Sequence, residues 1–409
     1  MSIKKLIVAG WMTLCMITFL TGCLEPVEIN KLGIVSGLAV DQTDDGYIVT
    51  AQILNPAAIS GKTTNALPVY SLKAEGTSIH EAYKKLDDMQ SAALSLSHLN
   101  VMVINEAFAE AGFAPLLNFS LRRFDVRPDI SIVVAKDAAA SDILNVITAL
   151  DLIPANQINI SNRVPSRTER LTSYNLYETV DMVNTNTINT VLNAVTLHRE
   201  QTQLDEDHQL EAGMGNQATQ NGSTLNNILD ITVPVQLRFE HLAVFQGDKL
   251  VGFMNDAEAQ LYNMVLGDFK RYDIVTKIEE DYYTSFGVTK IDSKITTDLA
   301  QNEATLQLSL SGLIFENTYP IDLTNQENLV VISEHLKSSL AQDMTDFVNK
   351  VQTELKSDIF GIGGKAYYQE HHVWKEKEGY WSELFPELTL NIEIELEVNS
   401  VGEIGNVTL

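Results

Sequence analysis

The sequence predicts an α+β protein with more than one domain: an N-terminal mixed α/β domain, then a C-terminal antiparallel sheet that carries a long amphipathic helix. Three observations favour this class. Short apolar segments alternate with helical patterns through residues 32–150, as in a mixed sheet covered by helices. Apolar residues step by three or four from Leu329 to Leu355, which predicts one helix of about 30 residues. Residues 388–398 alternate between apolar and polar side chains, as in a strand with one face in water.

The first domain is expected to span residues 23–195. Its apolar segments predict strands at residues 32–40, 47–53, 69–75, 99–104 and 130–135. Ser78, followed three residues later by Glu81, is typical of a helix start. A helix is therefore predicted at residues 78–89. Helical patterns also predict helices at residues 106–122 and 138–150.

The second domain is expected to span residues 228–409, after a linker or exposed loop at 196–227. Apolar side chains nearly vanish around residues 201–227, where Gln, Asn, Asp, Glu and Gly dominate. Beyond this stretch, residues 231–253 predict a hairpin, Asn255 predicts the start of a helix that Gly267 ends, and paired strands follow. The paired strands are predicted at residues 285–298 and 304–315.

The composition excludes one class of partner. The chain of 409 residues has 28 Lys and Arg against 54 Asp and Glu, a formal net charge of −26. Proteins bind nucleic acid largely by neutralising phosphates with basic side chains, and no basic stripe is present in the sequence. Electrostatic attraction to anionic lipid also needs clusters of Lys and Arg. Membrane association would therefore require insertion or a covalent anchor.

The first residues predict export and processing. Lys4 and Lys5 precede an almost uncharged apolar run at residues 6–20, and small residues follow. This order is typical of a secretory signal peptide, and the run is short for a bilayer span. We predict a signal peptide at residues 1–22; the alternative is an uncleaved N-terminal helix.

The end of this leader resembles the lipobox of bacterial lipoproteins. Leu20, Thr21, Gly22 and Cys23 stand in the same order and position as in that motif. The resemblance implies cleavage after Gly22, with an S-diacylglyceryl group and an N-acyl group on Cys23. The chain has two cysteines, and the other, Cys15, lies in the predicted leader. The mature chain would therefore have no free thiol for catalysis or metal binding.

Four further segments follow the lipobox in a characteristic order: residues 28–41 (EINKLGIVSGLAVD), 97–101 (SHLNV), 242–252 (LAVFQGDKLVG) and 356–361 (KSDIFG). Together they resemble the Ger(x)C spore germination lipoproteins, and the resemblance runs from the lipobox to the last predicted strand. The resemblance implies a non-enzymatic C subunit of a germinant receptor, lipid-anchored on the outer face of the spore inner membrane. It also implies two partners, the membrane subunits A and B, and no cofactor.

Other motifs give weak evidence of chemistry. Glu370, His371 and His372 are adjacent, as are the acidic residues and histidine of 205–208, but neither set has the i, i+4 spacing of a helical metal site. The glycine-rich residues 361–365 follow a helix rather than a strand, which favours a tight turn over an anion site.

An aromatic stretch has two interpretations. Packing against the terminal sheet is favoured, and a protein-docking patch is the alternative, because Tyr and Trp are common in interface hot spots. The stretch contains Tyr367, Tyr368, Trp374, Tyr380, Trp381 and Phe385.

A second function shares the predicted anchor and export. An extracytoplasmic solute-binding lipoprotein would also carry a signal peptide and a lipidated cysteine, but such proteins usually have two similar α/β lobes. The predicted C-terminal half, with antiparallel strands and one long helix, favours the receptor subunit.

Overall fold

The computed structural model describes residues 32–60, 67–147, 151–163, 174–185, 187–199, 235–267, 272–279 and 281–400. Within these ranges the chain forms two sheets with helices packed against them, which confirms the α+β class. The strands are β1 (Leu32–Thr43), β2 (Gly46–Leu54), β3 (Val69–Gly76), β4 (Ala93–Ser95), β5 (Val101–Asn105), β6 (Ser131–Ala135), β7 (Val191–Arg199), β8 (Val235–Gln246), β9 (Lys249–Met254), β10 (Tyr272–Glu279), β11 (Tyr282–Asp298), β12 (Glu303–Asn317) and β13 (Thr389–Ser400). The α-helices are α1 (Pro56–Ile59), α2 (Ile79–Asp88), α3 (Glu106–Ala111), α4 (Ala114–Leu121), α5 (Ala140–Leu144), α6 (Pro154–Arg163), α7 (Leu176–Asn184), α8 (Asp256–Leu266), α9 (Gln326–Lys350), α10 (Ile362–Gln369), α11 (His371–Lys377) and α12 (Trp381–Leu384).

The first sheet has a parallel centre with antiparallel flanks. Its order is β3-β2-β1-β5-β6-β7-β8-β9, and β4 pairs with the first residues of β1. Strands β1, β5, β6 and β7 run parallel, while β2, β3, β8 and β9 are antiparallel to their neighbours. Leu38 and Ala39 of β1 are both fully buried but belong to different cores. Helices therefore cover both faces at the centre, as parallel strands require.

Strands β8 and β9 belong to the first sheet, although the sequence assigns them to the second domain. Val191 of β7 pairs with Val244 of β8, and Leu242 pairs with Met254 of β9. Residues 196–199 of the predicted linker belong to β7, and the rest of the linker lies outside the described residues. The division between the sheets therefore follows Met254, whereas the domain limits themselves stay a prediction.

The second sheet has the order β10-β11-β12-β13, which confirms the predicted, largely antiparallel sheet and adds one parallel pair at its edge. Strands β10, β11 and β12 are antiparallel, but β13 runs parallel to β12. The chain between them passes through α9 to α12, and such a long crossover returns the chain in the same direction. The predicted alternation is confirmed, because Glu393, Glu395 and Glu397 are exposed while Ile394 is buried.

The long amphipathic helix is confirmed. Asn325 caps α9 by accepting the Glu327 N–H, and the helix continues from Lys350 into a π-helical turn, Val351–Leu355. One side of the helix is buried, and its buried apolar residues are Ile332, Leu336, Leu340, Met344, Phe347 and Val348. No helix within the described ranges combines the length and apolar character needed to cross a bilayer.

Candidate functional site at the junction of the two sheets

The segments that resemble the germination lipoproteins lie close together in the fold. Residues 32–41 form most of β1, and residues 97–101 lead into the neighbouring β5. The Asn100 N–H donates to the Ser36 carbonyl at 2.9 Å. Residues 242–252 form most of the β8–β9 hairpin, and residues 356–361 contact the end of that hairpin. The sequence motifs thus mark the centre of the first sheet and its contact with the second.

Two polar residues of β1, Ser36 and Asp41, have structural partners. Asp41 accepts the N–H groups of Ala140 and Ser141 at 2.6 and 3.1 Å, so its carboxylate holds the start of α5. The Ser36 hydroxyl donates to Gln52 at 3.2 Å, and the Gln52 amide donates to the Leu144 carbonyl at 2.7 Å. These buried groups satisfy one another and anchor the helices of one face to the sheet.

The segment after the π-helical turn joins the two sheets. The Ser357 hydroxyl donates to the Phe245 carbonyl of β8 at 2.6 Å. The Asn189 N–H donates to the Asp358 carbonyl at 2.8 Å, and the Asn189 side-chain oxygen accepts the Gly247 N–H at 3.2 Å. Ser357 and Asp358 are buried. Chain from both halves therefore interlocks through buried hydrogen bonds.

Asp358 is the ionisable group at the centre of this junction, and its side chain is 2% exposed. Its Oδ1 accepts the Ile362 N–H at 3.0 Å, and its Oδ2 accepts the Gly363 N–H at 2.8 Å and the Trp381 Nε1–H at 3.0 Å. Burial raises the pKa of the Asp358 carboxyl to about 6, although these hydrogen bonds lower it. The positive end of α10 also favours a carboxylate at this place.

Residues 361–365 form the start of α10 rather than a phosphate loop. Besides the two groups bonded to Asp358, the Gly364 N–H donates to the Thr187 carbonyl at 2.9 Å and the Lys365 N–H donates to the Gly361 carbonyl at 3.0 Å. The N–H groups that an anion would need are therefore already bonded. The predicted tight turn is therefore confined to Gly361, because residues 362–365 already belong to α10.

Two glycines allow this close packing. Gly361 has φ of 69°, a left-handed conformation that favours glycine. A Cβ added at Gly363 would lie 2.7 Å from the ring of Trp374 and 2.9 Å from Nε1 of Trp381. The helix can therefore approach the two tryptophans only because this position has no side chain.

The aromatic stretch divides into a buried and an exposed set. Trp374 and Trp381 lie with ring centroids 5.0 Å apart, and Phe385 packs in the same core. This confirms the predicted packing for the tryptophans and the phenylalanine. The exposed aromatic side chains of the stretch are Tyr367, Tyr368 and Tyr380, so the docking alternative applies to the tyrosines alone.

Glu370, directly after α10, has a structural role, whereas the two histidines that follow it are exposed. Glu370 accepts the Leu299 N–H at 3.1 Å. His371 and His372 are exposed, with ring centroids 6.3 Å apart. Across the residues that the structure describes, no group of three His, Cys, Asp or Glu is placed to hold a metal ion. Residues 205–208 lie outside the described ranges, as do Gly22 and Cys23.

A cleft of about 840 Å³ lies between α2 and α4. Arg123 on its wall forms an ion pair with Asp125 at 2.9 Å and lies over the Tyr83 ring, 4.6 Å from its centroid. Burial raises the pKa of Asp125, but the hydrogen bonds from Arg123 and from the Leu96 N–H outweigh burial and lower it overall. Arg123 and Asp125 on this wall are thus engaged with each other.

Two contributors to the junction have little local signal in the sequence. Asn189 lies in an Asn- and Thr-rich stretch with no clear periodicity. Gln352 is buried and donates to the carbonyls of Phe385 and Leu388 at 3.0 and 2.8 Å. A glutamine on the apolar side of a predicted helix, next to Val351, is the signal that could have identified a buried hydrogen bond there.

Two family models match this chain, and they define its class. Residues 25–197 match the spore germination protein N-terminal domain. Residues 240–402 match the model described as spore germination B3/GerAC like, C-terminal. The two matches cover most of the chain, so the class is that of the spore germination proteins. The chain belongs to the Ger(x)C family, as its motifs indicate.

Similar proteins match along nearly the whole chain. Spore germination protein KC of Bacillus subtilis (strain 168) is 25% identical, with 98% of this chain and 97% of its own length covered. Spore germination protein B3 of the same organism is 20% identical, with 95% and 96% covered. The crystal structure of the GerBC protein aligns with a TM-score of 0.51 at 16% identity, covering 89% of this chain and 97% of that one. The last comparison shows the same fold.

Proposed function

We propose that the chain is a lipid-anchored, non-enzymatic C subunit of a spore germinant receptor, which acts with membrane subunits A and B in nutrient-triggered germination. Family membership across both halves of the chain carries this proposal. The curated relatives are named spore germination proteins and match along nearly their full length. The sequence resemblance supplies the subunit type and the partners.

The anchor is proposed at Cys23. Cleavage after Gly22 would make this cysteine the first residue, and its acyl chains would hold the protein on the outer face of the spore inner membrane. The two chains of the diacylglyceryl group alone, at about 0.8 kcal/mol for each buried CH₂ group, give stable attachment. The lipobox at residues 20–23 and the apolar run before it support this assignment.

A role through contacts rather than through a reaction agrees with the junction. The carboxylate oxygens of Asp358 accept hydrogen bonds from α10 and Trp381, and the Ser357 hydroxyl donates to β8. Groups engaged in this way hold two sheets in a fixed relation. Two sheets joined in this way could transmit a structural change from one surface of the protein to another.

The alternative function, an extracytoplasmic solute-binding lipoprotein, is less well supported. Two similar lobes would be expected, but the first sheet has nine strands with a parallel centre and the second has four. Calorimetric titration of the purified chain with amino acids and sugars would separate the functions. Tight, stoichiometric binding to the isolated chain would favour the alternative.

The anchor is tested by replacing Cys23 with alanine in the full chain. We expect Cys23→Ala to give an uncleaved, unacylated mass, and spores that carry it to lose the response to nutrient. The matched control is Cys15→Ala, which changes the other cysteine inside the predicted leader and should give a normal acylated chain. A cleaved and acylated Cys23→Ala chain would refute the assignment. Co-purification of subunits A and B with a tagged wild-type chain tests the partners.

A further inference from the structure

Exposed apolar side chains are concentrated at one end of the first sheet. Among the described residues between 32 and 254, every large apolar side chain that is strongly exposed lies on a segment at the end where β1 begins. Five of them, which we call the apolar rim, lie on β3 or on segments that adjoin β2, β3 and β4. They are Ile59 (52% exposed), Leu67 (59%), Tyr70 (41%), Met89 (57%) and Phe124 (103%).

Hydrogen bonds connect neighbouring parts of the apolar rim. The Asn55 N–H donates to the Pro68 carbonyl at 2.7 Å, and the Asn55 side chain donates to the Leu67 carbonyl at 3.2 Å. These bonds join the start of α1, which carries Ile59, to the start of β3. The Tyr70 hydroxyl then donates to Gln90 at 3.1 Å, beside Met89.

The apolar rim surrounds the place where the chain enters the first sheet. Leu32, the first described residue, pairs with Ala93, the first residue of β4. Ala93 follows Met89 by four positions in the chain. Asp125, next to Phe124, accepts the Leu96 N–H at 3.2 Å, and Leu96 is the first residue after β4. The sheet entry and the exposed side chains therefore lie on the same surface.

The chain between Cys23 and Leu32 is long enough for a lipid on Cys23 to reach this surface. Cys23 precedes Leu32 by nine residues, and an extended chain spans at most about 3.6 Å per residue, or about 30 Å in all. Residues 55–60 and 67–70 carry no charged side chain, although the whole chain has a formal charge of −26. The segments that carry Ile59, Leu67 and Tyr70 therefore present no charge to anionic headgroups. Asp88 lies beside Met89, and both basic and acidic residues flank Phe124.

We propose that the apolar rim rests in the interfacial layer of the lipid bilayer, beside acylated Cys23. The inference rests on the proposed lipid anchor and adds a second, non-covalent contact, which sets the orientation of the first sheet on the membrane. Apolar side chains lie about 5–10 Å into this layer in interfacial proteins, and tyrosine is enriched there. The second sheet attaches at β7 and β8, which lie about 14 Å and about 19 Å along the sheet from β1 at ordinary strand spacing.

Single-cysteine variants of the full chain test the inference. Met89→Cys and Phe124→Cys are compared with Val330→Cys, a matched control on α9 because Val330 and Met89 are both 57% exposed. Each acylated chain is labelled with a polarity-sensitive fluorophore and reconstituted into vesicles of phosphatidylethanolamine and phosphatidylglycerol that contain a nitroxide-labelled lipid. We expect a shift to shorter emission wavelength and about twofold or stronger quenching at positions 89 and 124 relative to position 330.

The outcomes separate the inference from the anchor. Equal quenching at positions 89, 124 and 330 in chains with acylated Cys23 would overturn the inference and leave the anchor standing. Shielding of position 89 only in membranes that also contain subunits A and B would overturn it in favour of a protein partner. An unmodified Cys23 in the mass spectrum would overturn the proposed function itself.

Discussion

Replacement of Asp358 by asparagine should change how the stability of the junction depends on pH. The carboxyl is buried at the start of α10, where Ile362, Gly363 and Trp381 donate to it. Asp358→Asn keeps the size of the side chain and removes its titration. Because the amide NH₂ would face one of these donors, the free energy of unfolding of the variant should also be lower by about 1–3 kcal/mol at every pH.

The magnitude of the pH effect follows from the pKa of Asp358. Burial raises this pKa from its ordinary value of 3.8 to about 6 in the folded chain, so the folded chain holds the proton more tightly than the unfolded chain. The resulting stability is fully present below about pH 4 and is lost as the pH rises through about 6. The difference between the two pKa values corresponds to about 3 kcal/mol in the free energy of unfolding. The free energy of unfolding of the wild type, minus that of Asp358→Asn, should fall by this amount between about pH 4 and about pH 7.

Tryptophan fluorescence during denaturant unfolding measures this difference where it arises. Of the three tryptophans, Trp11 lies in the predicted leader, while Trp374 and Trp381 pack beside the junction. Asp44→Asn, in the exposed turn after β1, is the control and should show no such drift. The unfolding measurements are made at low protein concentration, because a strongly acidic chain loses its net charge at the acid end of this pH range. A difference that stays constant from pH 4 to pH 7 would refute the reasoning.

Two further predictions concern the packing around the junction. Trp374→Ala should lower the free energy of unfolding by about 3–5 kcal/mol because it empties a buried site, whereas Tyr368→Ala, at 84% exposure, should change it by no more than about 0.5 kcal/mol. Equal losses in denaturant melts would contradict the division of the aromatic stretch. Gly363→Ala should lower the melting temperature in calorimetry because the new methyl group meets both tryptophans, while Gly379→Ala, with open space at its Cβ position, should melt like the wild type. Unchanged melting of Gly363→Ala would show that α10 can move away.

Elements whose signals are local could be predicted from the sequence. The burial of Leu336, Leu340 and Met344 follows from a spacing that brings residues three or four apart onto one side of a helix. The start and end of α8 could also be predicted from the sequence. Asn255 forms a capping box with Glu258, and Gly267 has the left-handed conformation. In each case the residues that define the feature lie within a few positions of one another.

Pairing across the chain could not be predicted in this way. The alternation in β13 shows which side chains face water, but the parallel pairing with β12 depends on the path of the intervening helices. In the same way β8 has the pattern of any half-buried strand, and its place beside β7 follows from contacts across a long segment. Asp358 is an ordinary acidic residue in the sequence, because its burial requires Trp381 and residues 187–190 to meet it in space.

The row of carboxylates on β13 has a consequence for crowding. Within the described chain β13 pairs on one side only, and an open strand edge is a template for aggregation. If a second copy added its own β13 antiparallel, centred on Glu395, then Glu393 of each copy would face Glu397 of the other on one surface. Like charges directly opposite one another destabilise such pairing. Many copies of this chain could therefore be packed at high local concentration without their sheets pairing edge to edge.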